Sequence, residues 1–213
     1  MATPNTALWN NVTGVDGTSR TINFLGEDLG TEWHATKNPK GPRNIKSVLR
    51  RNGQIDVQTT KGLGDSVYWL PWRYGYMTSA TWQMIKNSGC NLFLTSRFTG
   101  CRLTVDSDRI AHTAHWVYPK GDASKPERNS SAARDRIEAA QMSSNPLVMN
   151  VRRRASFTTT NVGGGNISYD QGAAIGAGYK DKNGKWHVRF RTYVRNGLGA
   201  NTNWVTLWEE QKH

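Results

Sequence analysis

Two kinds of side chain capable of chemistry meet in the stretch CRLTVDSDRIAHTAHW, residues 101–116. Cys101 is one of only two cysteines in the chain, and it directly follows Gly100. A thiolate is a strong nucleophile, but a free thiol with a pKa of about 8.5 is mostly protonated at neutral pH and needs a base. Histidine suits that task, and His112 and His115 lie one hairpin's length downstream. Gly100 permits a tight turn whose backbone N–H groups can hold an oxyanion. The same residues also suit a blander reading: a small buried cysteine and a hydrogen-bonded core histidine.

Whether the two residues meet depends on the strands that carry them. Leu103 and Val105, then Ile110, Ala114 and Trp116, recur at every second position. The other parity holds Arg102, Thr104, Arg109, Thr113 and His115. This alternation predicts a strand pair with one buried face. A two-residue turn at Ser107-Asp108 pairs Asp106 with Arg109, Val105 with Ile110, Leu103 with His112 and Cys101 with Ala114. Cys101 and His112 then share the apolar face as diagonal neighbours, roughly 7–8 Å apart at the backbone. His115 points to the opposite face. An odd loop would exchange the two histidines, but it would also put Ile110 on the face opposite Val105, so the even register is preferred.

Other strands are expected at TINFL, NIKSVLRRNGQIDVQTT (turning at Asn52-Gly53), CNLFLTSRF and LVMNVRRRASF. A further hairpin is expected in AAIGAGYKDKNGKWHVRFRTYV, turning at Asn183-Gly184, with NWVTLWEE as a last strand. KGLGDSVYWLPWRYG reads as a glycine-rich loop, a short strand and an aromatic turn at Pro71. Residues 130–142, SSAARDRIEAAQM, form the clearest helix candidate: good helix formers preceded by serine. Strands outnumber helices and no βαβ alternation is present. The expected fold class is therefore α+β, a β-rich sheet or sandwich, largely antiparallel or mixed, with flanking helices. The length of 213 residues suits a single catalytic domain over 1–213, with residues 1–20 as a polar, turn-rich, loosely ordered arm.

The chain carries 28 basic and 16 acidic residues, a net charge of +12. Such a surface attracts nucleic acid, anionic membrane or an acidic protein. No apolar run is long enough to span a bilayer, and residues 1–30 lack the basic and apolar regions of a Sec signal. Eight of the ten residues between Cys90 and Cys101, NLFLTSRF, would as a strand cover roughly 26 Å, so no bridge is expected and both thiols suit a reducing compartment.

At the cysteine the chain resembles a known family, the cysteine–histidine glutamine deamidase toxins, which include Burkholderia lethal factor and the catalytic domain of the cytotoxic necrotizing factors. The family's LSGC motif is matched here by FTGC, Phe98 to Cys101, with phenylalanine and threonine in place of leucine and serine. Thr95 stands six residues before the cysteine, as in lethal factor. VYWLPWRYG (67–75) looks like that protein's WLPW stretch, and IAHT (110–113) looks like the histidine segment of the necrotizing factors. The resemblance covers residues 67 to 118.

It implies a glutamine deamidase in which Cys101 attacks a side-chain amide, His112 handles the protons and Thr95 orients the histidine. Gly100 is the candidate oxyanion turn, with Thr99 beside it as a candidate for the substrate cleft; Trp69 and Trp72, aromatics flanking a proline, read either as core packing, the commoner case, or as lining of that cleft. No metal or other cofactor is implied. The implied partner is a host protein carrying the target glutamine, a small GTPase or a translation-initiation RNA helicase by family analogy. The chain would act as a monomer, held in the bacterial cytoplasm before delivery and then in the host cytosol. Competing readings are a non-enzymatic basic RNA- or protein-binding β-domain and a cysteine protease or transglutaminase-like acyltransferase.

The remaining signals are weaker. Arg152 to Arg154 form a charge run that reads as a solvated surface or an anionic docking site. Arg189, Arg191 and Arg195 would fall on one strand face. KGLGDS lacks the phosphate-loop pattern, and His34 and His187 lack metal-ligand spacing.

Overall fold

The structure, a computed structural model, describes residues 6–13, 22–25, 40–96, 98, 100–115, 117–118, 131–142, 150–152, 160–162, 165–167, 174–195 and 202–212. In chain order the elements are α1 (Thr6–Thr13), β1 (Ile22–Phe24), β2 (Gly41–Leu49), β3 (Ile55–Thr59), β4 (Asp65–Leu70), β5 (Met77–Thr81), α2 (Trp82–Asn87), β6 (Leu92–Thr95), β7 (Arg102–Val105) and β8 (Arg109–Thr113). They continue with α3 (Ser131–Gln141), β9 (Asn150–Arg152), β10 (Thr160–Val162), β11 (Gly165–Ile167), β12 (Ala174–Lys180), β13 (Trp186–Arg195) and β14 (Thr202–Lys212).

The fold is α+β and β-rich. An eight-stranded mixed sheet runs β1-β3-β2-β4-β6-β12-β13-β14, a four-stranded antiparallel sheet runs β5-β8-β7-β9, and β10 pairs with β11. Period-two alternation divides the large sheet's side chains between two cores. Tyr68, Leu70, Phe93, Trp186 and Val188 face the small sheet, where they meet Leu103, Val105 and Ile110. Val67, Trp69, Leu92, Leu94, Ile175 and Ala177 face the other way and pack with Leu8 and Val12 of α1. The layers therefore run α1, large sheet, small sheet, α3.

Residues 6–13, read from sequence as part of a polar arm, are a helix with Leu8 and Val12 fully buried. Its asparagines, threonines and valine are poor helix formers, so packing rather than propensity holds it. Arg189 closes its C-terminal end by donating to the carbonyls of Val12 (2.9 Å) and Thr13 (2.6 Å). Arg189 is thereby taken from the expected basic stripe; the side chains of Arg191 and Arg195 lie outside the described residues. Of the arginine run, Arg152 lies in β9, and Arg153 and Arg154 fall outside the described residues.

Both Asn-Gly turns form as expected. Gly53 (φ +81°) and Gly184 (φ +81°) each donate back to a carbonyl three residues earlier, Arg50 and Asp181 respectively. No helix among the described residues is long and apolar enough to cross a membrane.

Candidate active site

The hairpin that carries the candidate pair has the even register. Leu103 faces His112, Val105 faces Ile110, and the Asp106 N–H donates to the Arg109 carbonyl. Asp106 Oδ1 fixes the two-residue turn by accepting from the N–H groups of Asp108 (2.8 Å) and Arg109 (2.7 Å). The ladder ends at Arg102 and Thr113; beyond it Cys101 stays with Leu103, Val105 and Ile110 in the inter-sheet core, whereas Ala114, expected on that face, packs with Ala133 of α3. Both members of the candidate pair are buried, Cys101 at 4% exposure and His112 at 0%. No disulfide involves Cys101 or Cys90.

The hairpin is not half-solvated as its alternation suggested. Arg102, Thr104 and Thr113, on the polar parity, are as buried as Leu103 and Ile110. The reason is α3, which lies across that face and supplies the missing partners. Glu138 accepts from Arg102 Nη1 (2.9 Å) and from the Thr104 hydroxyl (3.1 Å), and Asp135 accepts from Arg102 Nη1 (2.6 Å). A buried guanidinium is tolerated only when paired in this way.

His112 is held from two sides. Thr95, at the end of β6, places its Oγ1 2.7 Å from His112 Nδ1. Phe98, which stands where the resembled motif has leucine, stacks on the imidazole with centroids 3.9 Å apart and planes 15° from parallel. The other ring nitrogen, Nε2, has no hydrogen-bond partner among the described residues. Burial drives the His112 pKa down to about 3, so the ring is neutral near neutral pH. When Nδ1–H donates to Thr95, the Nε2 lone pair is left bare and available as a base.

Thr95 is seated by a residue the sequence did not flag. Continuing the β6–β12 pairing sets Gly176 opposite Thr95. A Cβ at position 176 would stand 2.7 Å from Thr95 Cγ2 and 3.3 Å from Leu103 Cδ1, so the threonine can reach the histidine only past a glycine. Next to Thr95, Ser96 accepts the Trp72 N–H through its hydroxyl at 2.8 Å and so ties the aromatic turn to β6.

Gly100 has φ +136°, a region that favours glycine. Its carbonyl accepts from His115 Nδ1 (3.0 Å) and from Arg134 Nη1 of α3 (3.1 Å). His115 thus leaves the Cys101–His112 face, as expected, yet reaches the residue before the cysteine.

The two tryptophans separate. Trp69 is fully buried in the core on the α1 side, 5.3 Å from the Phe24 ring, so strand alternation turns it away from the site. Trp72 stays on the site's side, half-buried between the inter-sheet core and the cluster beneath α3. Thr99 lies outside the described residues. His187 stacks on Tyr179 and bonds Asp181, remote from this face, and His34 is outside the described residues. No group of three or more metal-ligating side chains is found among the described residues. No family model matches the chain, and no curated protein matches it either.

Proposed function

We propose that the chain is a protein-glutamine deamidase with Cys101 as nucleophile, His112 as acid–base and Thr95 as the group that orients His112. The observation that carries the reading is the Thr95–His112 contact of 2.7 Å, made by a buried neutral imidazole whose second nitrogen is unpartnered among the described residues. A buried ring nitrogen without a partner costs about 1–3 kcal/mol, and a general base needs a nitrogen whose lone pair is free.

In the proposed cycle His112 Nε2 takes the Cys101 proton as the sulfur attacks the glutamine Cδ. The tetrahedral intermediate collapses, the C–N bond breaks, and ammonia leaves with the proton held by His112. His112 then removes a proton from water, the water oxygen attacks the thioester, and the thiol departs with that proton. Glutamine has become glutamate and the enzyme is restored. The low basicity of buried His112 disfavours a standing imidazolium, so the proton moves only as the sulfur attacks. The Gly100 turn is assigned to oxyanion stabilisation. The substrate is proposed to be a host protein, such as a small GTPase or a translation-initiation RNA helicase, met in the host cytosol after delivery from a bacterium.

The test is mass spectrometry of host-cell lysate treated with the wild type or with Cys101→Ser. The reading expects one glutamine to gain about 1 Da with release of ammonia, only with the wild type. Cleaved or crosslinked products would instead assign the thioester to a protease or an acyltransferase. The net charge of +12 favours a second reading, a basic binding domain. That reading expects ligand binding that falls steeply with salt and is indifferent to Cys101→Ser.

A further inference from the structure

The helix α3 and His115 grip the chain on both sides of Cys101. Before it, the Gly100 carbonyl takes two donors, Arg134 Nη1 at 3.1 Å and His115 Nδ1 at 3.0 Å. A carbonyl only accepts, so Nδ1 of His115 carries the proton, and the 3.5 Å approach of Arg134 to His115 is that of two donors converging on one oxygen. After it, Arg102 is locked to Asp135 and Glu138 of the same helix. Arg134 and Glu138 are one helical turn apart and both are buried, as residues four apart on one face must be.

The glycine follows from this arrangement. A Cβ at position 100 would lie 2.4 Å from His115 Nδ1, and φ +136° strains any other residue. A trans peptide points its C=O and N–H in opposite directions. Holding the Gly100 oxygen against Arg134 therefore turns the Cys101 N–H away from α3.

We propose that Arg134 and His115 are positioning residues, which clamp the Gly100 carbonyl to α3 and thereby fix the Gly100–Cys101 peptide and the direction of the Cys101 thiol. The proposal deepens the deamidase reading and rests on it for the purpose of the clamp, but the clamp itself is measurable without a substrate. Neither residue touches the reacting atoms. Displacements near 1 Å cost reactions about 100-fold, which is the scale on which such a clamp acts.

The test compares the wild type with Arg134→Met, Arg134→Lys and His115→Gln. Two readouts are used: the carbonyl ¹³C shift of Gly100, and the rate at which iodoacetamide labels Cys101 relative to Cys90. Arg134→Met is expected to move the Gly100 carbonyl resonance upfield and to speed Cys101 labelling tenfold or more, while fully buried Cys90 stays protected. Arg134→Lys, which keeps a cationic donor, recovers part of both changes, and His115→Gln, which keeps an amide donor but not the imidazole's geometry, gives the smaller effect. If Arg134→Met labels both cysteines equally fast, it has lost its fold, and Arg134→Lys and His115→Gln decide. Wild-type values of the Gly100 shift and of Cys101 labelling in a folded Arg134 variant overturn the proposal. Lysate deamidation is scored separately. A wild type without deamidation, together with shifted Gly100 in Arg134→Met, sinks the deamidase reading and leaves the clamp standing.

Discussion

Replacing Thr95 by valine removes one hydroxyl and puts a methyl in its place. The hydroxyl is 2.7 Å from His112 Nδ1, whereas a carbon needs about 3.5 Å, so the ring or the strand end must retreat by roughly 0.8 Å. Phe98, stacked on the ring face with centroids 3.9 Å apart, restricts tilting, so the ring retreats by sliding in its own plane. The lost hydrogen bond and the stranded ring nitrogen together cost about 2–3 kcal/mol of stability. Turnover suffers twice. A displacement of this size costs about 100-fold through misalignment. The ring also loses the acceptor that kept the proton on Nδ1, so the tautomer with a protonated Nε2, useless as a base, gains population. Thr95→Ser keeps the oxygen and should keep most of the rate. The assay pairs deamidation rate with the imidazole ¹⁵N shifts of His112. The wild type should show a protonated Nδ1 and a bare Nε2, and Thr95→Val should lose that asymmetry. Unchanged shifts and an unchanged rate in a folded Thr95→Val would refute the orienting role and remove the main support for the catalytic reading.

Four further outcomes are expected. The His112 pKa is about 3 in the folded protein against 6.5 for a free imidazole. Between those values the unfolded chain binds a proton that the native state does not, so stability is fullest above pH 6.5 and falls as pH drops toward 3, by up to about 1.4 kcal/mol per unit. Urea midpoints between pH 7 and pH 4 should slope less in His112→Gln than in the wild type; equal slopes would contradict the buried neutral ring. Gly176→Ala should push Thr95 off the histidine, costing about 1–3 kcal/mol in urea unfolding and lowering turnover alongside it. Glu138→Ala leaves Arg102, 1% exposed, without its buried carboxylate and should destabilise by about 3–5 kcal/mol, read by the same unfolding assay. Arg189→Met should loosen α1 by about 1–2 kcal/mol, seen as faster hydrogen exchange confined to residues 6–13.

What could be read in advance is what period and turn chemistry encode. The alternation of Leu103, Val105 and Ile110 fixes which face is apolar, and Asp106 supplies the turn, so the pairing of Leu103 with His112 follows from local sequence. Gly53 and Gly184 mark their hairpins for the same reason. Trp69 shows where local reading fails. WLPW reads as one aromatic patch, but Trp69 still lies on a strand and Trp72 has left it, so alternation sends the first to the α1 core. The missing arm-to-helix transition at 6–13 had no local signal, because its support comes from Arg189, far away in sequence.

The polar face of the hairpin is the more instructive case. Arg102 and Thr104 looked solvated because nothing local marks a buried partner: the nearby Asp106 holds the turn, and Glu138 arrives from α3, 36 residues beyond Arg102. The same helix brings Arg134 to Gly100. The segment around Cys101 is thus anchored through its neighbours, Gly100 and Arg102, to α3. A loop with a left-handed glycine needs such anchoring, since the glycine that permits the turn also frees the backbone to leave it. The burial that hides Cys101 and His112 has the same origin. The large sheet and α3 close over the hairpin from its two sides, and the closure that fixes the imidazole neutral is also what keeps Thr95 the sole described partner of its ring nitrogens.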